Sequence, residues 1–524
     1  MKTMKGGIEV LPPVILQDIL TMGRLESLDL ANLDMTSSVF RAPSGSIGGF
    51  KSITEAAAHS YCEKHQLFES LDSSARLQLL ARCEGNWKLV LHFLECLERS
   101  SGRVTEANAG KKVLTAGGKL HTLIVNKQGE LFACGKGGAV LGQGQASTTT
   151  LETPRLIFLP AAASRIVQIS ASFEHAAFVT ETGQVYTFGD NTSGCCGIGM
   201  RAAELRAVLK PTHVRTLRNI PCQQVTTGKS FTMAITRLGE VYSWGCNTYG
   251  QLGHRNTRDK SRPRQIDQFD ESDPVVQVSA GECHSLAVTK SGKLFSWGHD
   301  YNHFAFGHDV TPIVLNKLFP KRVEHGGFHG LFFVSAVAGD NHSVAIDHCG
   351  RVYKWGNEDY FSADSRRIIR RERRREAEQN KQIPVLVQSL KFNRAVQVVA
   401  RGSTFVLLDS GTVCCVSGVN PLELWQGSTY ATVGDKAHSI TCGHEHAVIV
   451  TKKGTTLGIG YNESKQLGVV WDDWSKRSIV VLDPVEVFTQ VHLPKTERMG
   501  CISPPYSSCK RSMQLLATAL MGLT

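Results

Sequence analysis

A histidine recurs through most of this chain at a nearly constant place, and recurring histidines raise the question of a metal site. The copies are His121, His175, His284, His342 and His446. Two further units carry Phe231 and Phe405 at that place in our alignment. Phenylalanine cannot bind a metal, whereas both side chains can fill a packed position. We therefore interpret this histidine as structural.

Other patterns that would indicate catalysis or a bound group are absent from the sequence. The 15 cysteines have no C-x-x-C spacing, so no zinc site is predicted. No glycine-rich loop ends in the Lys-Ser/Thr of a phosphate-binding loop. We find no nucleophile elbow, paired carboxylates or triad signature. The sequence thus predicts a protein that is not an enzyme and has no catalytic residues, cofactor or metal.

One short segment holds much of the net charge of +11. Residues 366–376 contain seven arginines and two glutamates. The arginines are Arg366, Arg367, Arg370, Arg371, Arg373, Arg374 and Arg375. This basic loop is either a solvated loop whose Glu372 and Glu376 pair locally, or a loop for nuclear import or nucleic-acid contact.

The histidine belongs to a unit that occurs seven times. The units begin 41 to 63 residues apart, at Gly118, Ser172, Gly228, Gly281, Gly339, Gly402 and Gly443. A glycine follows the histidine position by eight residues, and a second glycine, often after an aromatic residue, follows it by 14. In the sixth unit Gly411 comes two residues early when Phe405 is aligned with histidine. Such regularity indicates an array of like structural units.

Each unit is typical of a β-hairpin, because an alternating apolar run and a second apolar run flank a turn glycine. Stacking the units and closing them into a ring covers every sheet face. We predict an all-β seven-bladed propeller over residues 110–495, preceded by an all-α module. The structural positions are Gly245, Gly298 and Gly356 at turns, and Trp244, Trp297 and Trp355 between neighbouring blades. We expect a late strand within 482–493 to close the ring beside 111–118.

These units resemble the repeat of the regulator of chromosome condensation family, and Trp244–Gly253 carries the second half of its signature nearly in full. The resemblance implies the propeller fold, while members act as exchange factors, photoreceptors or binding platforms. The second positions are Lys119, Phe173, Lys229, Glu282, Asp340, Ser403 and His444. None is the tryptophan of the family's UV-B photoreceptor, which disfavours light sensing. The extra length lies in the fifth interval, not in the insertion that the family's exchange factor uses.

The first 43 residues resemble an F-box, and the combination with these repeats leads us to expect a plant source. The resemblance implies contact with a Skp-type adaptor, and through it a cullin scaffold, by Leu11, Pro12, Ile15, Ile19 and Leu20. Residues 44–109 predict a helical extension with helices near 51–65, 73–82 and 86–99, and with Ser73 and Asn86 as N-caps. A plain helical cap for the propeller is the alternative. Residues 496–524 are expected to form a C-terminal tail.

We therefore expect a protein-binding propeller that recognises a partner or substrate, with a possible ubiquitin-ligase link. A small-GTPase exchange factor or chromatin-binding regulator is the first alternative, and a scaffold with neither link is the second. No signal peptide begins the sequence, and no apolar stretch approaches the ~18 residues of a membrane span. We expect no membrane contact and a location in the nucleus, the cytoplasm or both.

Overall fold

The computed structural model describes twelve parts of the chain. They are residues 20–21, 25–36, 50, 52–100, 113–199, 205–299, 316–324, 331–356, 384–417, 429–430, 436–468 and 480–486. Met1–Thr489 form one compact unit and Gln490–Thr524 a second, whose residues lie outside these ranges. Within the ranges, no helix is both long and apolar enough to cross a membrane.

Within the described residues, five helices with defined bounds precede the repeats. They are α1 (Ser27–Thr36), α2 (Ile53–Glu63), α3 (Gln66–Ser70), α4 (Ser73–Arg82) and α5 (Trp87–Ser100). The predicted all-α module is therefore confirmed for these residues. The cap of α4 is Asp72, which accepts from the Ala75 amide at 2.8 Å, and not Ser73 as predicted. Asn86 is confirmed as a cap, because its Oδ1 accepts from the Lys88 amide at 3.0 Å.

Seven four-stranded antiparallel sheets follow, and we number them as blades 1 to 7. Blades 1 and 2 contain β1 (Leu114–Gly117), β2 (His121–Val125), β3 (Leu131–Gly137), β4 (Thr149–Ile157), β5 (Ile166–Ala171), β6 (His175–Thr180), β7 (Val185–Asp190) and β8 (Ala207–His213). Blades 3 and 4 contain β9 (Cys222–Thr227), β10 (Phe231–Thr236), β11 (Val241–Gly245), β12 (Lys260–Gln265), β13 (Val275–Ala280), β14 (His284–Thr289), β15 (Leu294–His299) and β16 (Asn316–Arg322). Blades 5 to 7 contain β17 (Phe333–Ala338), β18 (His342–Asp347), β19 (Val352–Gly356), β20 (Val385–Leu386), β21 (Ala395–Ala400), β22 (Thr404–Leu408), β23 (Val413–Ser417), β24 (Thr429–Tyr430), β25 (Ala437–Cys442), β26 (His446–Thr451), β27 (Thr456–Tyr461) and β28 (Val480–Glu486).

The strand order within every sheet follows the chain, so each blade is one meander. A glutamine in the first strand joins several blades to the next. Gln168 donates to the Val225 carbonyl at 2.9 Å, and Gln224 donates to the Val278 carbonyl at 3.1 Å. Gln397 repeats this contact with the Ile440 carbonyl at 2.9 Å. The predicted seven-bladed propeller is confirmed.

The ring closes between blades 7 and 1, and the expected late strand is present, but it pairs within blade 7. The late strand β28 pairs with β27 as the fourth strand of blade 7, whereas β1 pairs with β2. Closure instead joins neighbouring inner strands: the Thr115 and Thr441 hydroxyls are 2.7 Å apart, and the His444 amide donates to the Gly118 carbonyl at 3.1 Å. Blade 7 needs no strand from the start of the ring, because its own unit supplies all four.

The structure accounts for the repeated glycine and tryptophan. Gly245 has φ +106°, and a Cβ there would lie 2.6 Å from the Ser230 carbonyl oxygen. Gly298 and Gly356 are equivalent, with φ +108° and +100°. The indole of Trp244 donates to the Cys195 carbonyl of blade 2 at 2.8 Å. The predicted packing of tryptophan between blades is thus observed.

Candidate binding surface at the mouth of the central channel

The turns between the first and second strands of the blades meet at one end of the ring. Backbone hydrogen bonds connect several neighbouring turns, as from the Lys119 amide to the Ser172 carbonyl at 3.3 Å and from the Asp340 amide to the Arg401 carbonyl at 3.2 Å. We call the side chains that these turns present the mouth: Lys119, Phe173, Lys229, Glu282, Asp340, Arg401 and His444. They come from seven different blades and therefore converge only in the folded ring.

Blade 6 departs from our alignment by two residues. Thr404 pairs with Ala400, as Ser343 pairs with Ala338 in blade 5. Ser403 therefore occupies the histidine position, and Gly411 follows it by the usual eight residues. Phe405 is instead a buried strand residue that pairs with Cys415. Arg401 takes the place where most blades have glycine.

The exchange of glycine for arginine has a steric reason. In blade 5 a Cβ on Gly339 would lie 2.4 Å from Cε1 of His342, because the imidazole packs over that glycine. Ser403 has no ring at the corresponding place, so blade 6 has room for a side chain at position 401. The shorter turn thus permits one large cation at the inner edge of the ring.

The Arg401 guanidinium spans the channel and binds three blades on the other side. Its Nη2 donates to the carbonyls of Thr227 at 2.7 Å and Ala171 at 3.1 Å, and its Nη1 donates to the Ala280 carbonyl at 3.3 Å. These are the last residues of β5, β9 and β13. Charge-assisted hydrogen bonds of this kind are stronger than neutral ones. Arg401 therefore fixes blade 6 to blades 2, 3 and 4 across the channel.

A second contact across the mouth joins blades 5 and 7. Nδ1 of His444 lies 2.5 Å from Oδ2 of Asp340, and both side chains are almost fully buried. Burial by itself lowers the pKa of His444, but the hydrogen bond and the charge of Asp340 raise it above its usual value. Burial opposes ionisation of Asp340 as well, yet His444 and Arg401 hold the pKa of this carboxyl below its usual value. Each group therefore favours the charged form of the other.

The outer part of the mouth combines an aromatic ring with cations. Lys119 and Lys229 place their ammonium groups 5.2 and 5.5 Å from the centroid of Phe173. The ring of Phe173 also lies 5.6 Å from that of His444. Lys229 pairs with Glu282 and is 47% exposed. An aromatic ring bordered by half-exposed charges offers a partner both apolar area and hydrogen-bonding groups.

The opposite end of the propeller carries the helical module. Adjacent strands are antiparallel, so the turns between second and third strands lie at the end away from the mouth. Two such turns, at 347–350 and 408–411, face α4 and α5. Nη2 of Arg82 donates to the Asn393 carbonyl at 2.8 Å, and Nη1 of Arg394 donates to the Arg82 carbonyl at 3.3 Å. Among the described residues, the module therefore packs on blades 5 to 7 at the end away from the mouth.

The sequence-predicted site residues have different outcomes. Leu11, Pro12, Ile15 and Ile19 lie outside the described residues, as do all seven arginines of the basic loop. Leu20 is 6% exposed and packs in the core of the helical module, and its carbonyl accepts from the Tyr61 hydroxyl at 2.5 Å. Its side chain is thus occupied within the module. Adaptor binding through the F-box-like region stays a prediction.

The recurring histidine forms hydrogen bonds between blades. Its Nε2 meets a hydroxyl of the next blade in four cases: His175 with Thr232 at 2.9 Å, His284 with Ser343 at 3.0 Å, His342 with Thr404 at 2.6 Å, and His446 with Thr122 at 2.8 Å. Burial lowers the pKa of His284 and of His446 to about 3, so both are neutral at pH 7. These contacts support the structural interpretation.

One group of residues has donor atoms close enough for a metal, namely Asp347, His348 and Cys349, whose ligand atoms lie within 4.8 Å of one another. The Asp347 carboxylate is already engaged. It accepts from Nε of Arg351 at 2.6 Å, from the Tyr353 hydroxyl at 3.2 Å, and from two backbone amides. Its position is that of a turn-stabilising group, and the chemistry of the donors does not require an ion.

From the sequence, most mouth residues are evident only as second positions without tryptophan, and Arg401 is not evident at all. The offset between Ser403 and Gly411 equals that between His342 and Gly350, and this agreement would have corrected the register. The partners of Arg401 are distant, however, at 121 residues for Ala280 and 230 for Ala171. No local pattern indicates such contacts.

Comparison with known proteins agrees with the repeat. Two family models, both described as the regulator of chromosome condensation (RCC1) repeat, match the chain. One matches residues 182–235 and 239–288, and the other matches 166–195, 222–251 and 275–303. These residues belong mainly to blades 2, 3 and 4.

Individual relatives are similar over part of the chain. Human E3 ubiquitin-protein ligase HERC2 is 32% identical over 255 residues, which are 48% of this chain and 5% of that protein. The mouse secretion-regulating guanine nucleotide exchange factor is 33% identical over 224 residues, which are 41% of this chain and 46% of that protein. The chain thus spans less than half the length of either relative.

Among solved structures, Prp20p from Saccharomyces cerevisiae has a TM-score of 0.56 at 17% identity. The match covers 75% of this chain and 91% of that one, and at this identity it shows the fold alone. The blade count, the strand order and the family match agree with one another. The chain is a seven-bladed β-propeller whose blades 2 to 4 match the RCC1 repeat, and an α-helical module packs on blades 5 to 7.

Proposed function

We propose that this chain is a partner-recognition protein that binds another protein at the mouth. The observation that supports this most is the arrangement of the two ends. Helices α4 and α5 occupy the end away from the mouth, whereas Phe173 and its flanking lysines remain accessible. Aromatic residues surrounded by polar groups are frequent at the centres of protein interfaces.

Affinity purification from cells tests this proposal. The mouth variant carries Lys119→Ala, Phe173→Ala and Lys229→Ala. A matched control carries Lys290→Ala, Leu238→Ala and Lys452→Ala, which are exposed residues on turns at the other end. We expect the mouth variant to lose the wild-type partner and the control to retain it. Loss of the partner from the control alone would contradict the proposal.

We further propose that the F-box-like region links the partner to a cullin-type ubiquitin ligase. Support comes from the Leu-Pro start and the Leu-x-x-Ile-Leu pattern that follows it in the sequence. Leu11→Ala with Pro12→Ala removes apolar contact area, and losing ~80 Å² at roughly 25 cal/mol per Å² costs about 2 kcal/mol. That corresponds to adaptor binding weakened about thirtyfold. Absence of a Skp-type adaptor and cullin from the wild-type pull-down would leave the helical-cap alternative.

A second candidate function is regulation of a small GTPase or binding to chromatin. The mouse relative is named as a guanine nucleotide exchange factor, and the Prp20p structure is described with that protein's binding to Gsp1p and histones. Accelerated nucleotide release from a co-purified GTPase, abolished in the mouth variant, would favour this function. Purification of neither class would leave a scaffold. A nuclear or cytoplasmic location is part of both proposals.

A further inference from the structure

The outer wall of blades 2, 3 and 4 concentrates positive charge. Residues 205–218, 255–264 and 317–324, which overlap the fourth strands of these blades, contain four, five and three Lys or Arg residues. Two carboxylates, Asp259 and Glu324, accompany these cations. We call the three ranges the basic rim. It is separate from the mouth and from the basic loop.

The strand geometry directs the cations of the basic rim outward. Each fourth strand has one buried proline, and the residues before and after it are exposed on the opposite face of the strand. These prolines are Pro211, Pro263 and Pro320. Arg262, Arg264 and Lys321, beside these prolines, are exposed. A proline in an edge strand has no N–H for pairing with another strand. The edges are therefore unsuited to strand addition, and their side chains remain available.

Backbone contacts join the three edges into one surface. The Gly199 amide, in the loop that follows β7, donates to the Ser261 carbonyl of β12 at 2.9 Å. The Arg255 amide, in the loop that follows β11, donates to the Leu318 carbonyl of β16 at 2.8 Å. Because the loop of each blade is fixed to the outer strand of the next, the cations form a continuous surface and not three separate ones.

Little of this charge is neutralised by the described residues. Over the described rim, one ion pair is present, between Arg322 and Glu324 at 3.8 Å. Oδ1 of Asp259 accepts from the Asn247 amide at 2.7 Å. Burial and the charges of Arg264 and Arg258 lower the pKa of Lys260, as expected where like charges are crowded. Such a surface favours a polyanion.

An aromatic residue lies among these cations. Phe319 is 43% exposed, and the guanidinium of Arg255 lies 4.9 Å from its ring centroid. Close by in the chain, the rings of Tyr249 and His299 stack at 4.5 Å. Cations interleaved with an exposed ring are typical of proteins that bind single-stranded nucleic acid, because phosphates meet the cations and bases stack on the ring.

We propose that the basic rim binds a single strand of nucleic acid, with phosphates on Arg262, Arg264 and Lys321 and a base on Phe319. Arginine suits phosphate, because its planar guanidinium can donate two hydrogen bonds at once. The rim extends around a convex wall over three blades. A flexible strand can follow such a wall, whereas a flat bilayer touches only part of it. This inference does not depend on the proposed function of the mouth.

Fluorescence anisotropy with the full chain tests the proposal. The probes are labelled single-stranded RNA and DNA about 20 nucleotides long, since a single-strand site spans roughly 4–16 nucleotides, and a DNA duplex of equal length. The rim variant carries Arg262→Gln, Arg264→Gln and Lys321→Gln. The control removes three exposed charges at the end away from the mouth, with Lys290→Gln, Lys452→Gln and Lys453→Gln.

We expect the rim variant to weaken single-strand binding at least about tenfold at low salt and to reduce the slope of log K against log salt by about 2, at roughly 0.7 per phosphate contact. Phe319→Ala should weaken binding about fivefold or more, and the control should bind like the wild type. Tighter binding of RNA than of DNA, or the reverse, would identify the natural strand.

The proposal is wrong if folded wild-type protein binds neither single strand. It is also wrong if the rim variant and the control weaken binding equally. A third contradicting result is a duplex that binds as tightly as a single strand, with no effect of Phe319→Ala. Binding to vesicles that contain phosphatidylserine in place of binding to either strand would also overturn it and assign the rim to a membrane surface.

Discussion

Each recurring histidine acts as a hydrogen-bonding group only where the next blade supplies a hydroxyl. His121 has no such hydroxyl, because the equivalent place in blade 2 is Ala176. Neither ring nitrogen of this fully buried histidine has a partner among the described residues. Burial lowers the pKa of His121 to about 4, so the ring is neutral at pH 7. A buried polar group without a partner reduces stability.

Ala176→Ser should therefore stabilise the protein by about 1 kcal/mol, the usual net value of one added hydrogen bond. At the equivalent place in blade 3, Thr232→Ala removes the hydroxyl that His175 uses. This change should lower the free energy of unfolding by about 1–3 kcal/mol. Chemical unfolding of the two variants and the wild type measures both effects. Destabilisation by Ala176→Ser would show that the site lacks room for the oxygen.

Gly245 combines a positive φ with a close backbone approach, and these two effects can be separated. Gly454 also has a positive φ, +89°, but a Cβ there would meet only the flexible end of Lys127. Both Gly→Ala changes incur the left-handed backbone cost of roughly 1–2 kcal/mol. Gly245→Ala should in addition clash with the Ser230 carbonyl and lose clearly more stability. Equal thermal denaturation of the two variants would contradict this explanation of the repeat.

The Asp340–His444 pair gives a pH dependence with a definite sign. Because the folded pKa of His444 is raised, its contribution is complete below its unfolded pKa of about 6.5 and is lost as pH rises through the folded value. The lowered pKa of Asp340 means that its contribution is complete above about pH 4 and is lost on further acidification. The pair should stabilise most between about pH 4 and 6.5.

His444→Gln should therefore be most destabilising below about pH 6.5, with the difference from wild type shrinking as pH rises through the folded pKa of His444. The buried neutral histidines change stability with pH in the opposite direction, and they do so in both proteins. Taking the difference between the two free energies of unfolding removes this shared contribution. A difference that grows as pH rises would mean that His444 is neutral in the fold.

At the scale of elements, the helical module and the blades differ in how far the sequence predicts them. The helices follow from caps and apolar spacing. Ser52 marks the start of α2, because its Oγ accepts from the Glu55 amide at 3.1 Å. The place where the module packs on the propeller could not be predicted from the sequence. Its contacts use single groups, such as Nε of Arg394 on Asp409 at 2.6 Å, that have no periodic pattern.

The basic loop is an element whose role stays a prediction. It belongs to the chain between β19 and β20, two strands of blade 5. Changing Arg371, Arg373, Arg374 and Arg375 to Gln should reduce nuclear accumulation, or weaken DNA binding by an amount that falls as salt rises. Fluorescence microscopy and a salt series measure the two effects. If both stay unchanged, the solvated-loop interpretation is the correct one.

At the scale of the whole molecule, the seven blades were predictable because each one repeats the same local requirements. Gly298 pairs with His284 across the strands, and a Cβ on it would lie 2.8 Å from the His284 Cα, so the offset of this glycine from the histidine position recurs. The mouth was not predictable in the same way. Arg401 depends on one shortened turn, and its partners come from three other blades.

We expect a protein partner to bind at the mouth. Hydrogen–deuterium exchange of the purified complex measures which turns the partner covers. Peptides that contain residues 118–120, 172–174 and 228–230 should exchange more slowly in the complex than in the free chain. Peptides from the turns at the other end, 237–239 and 290–292, should exchange equally in both. Protection confined to those latter turns, with the mouth unchanged, would contradict the account.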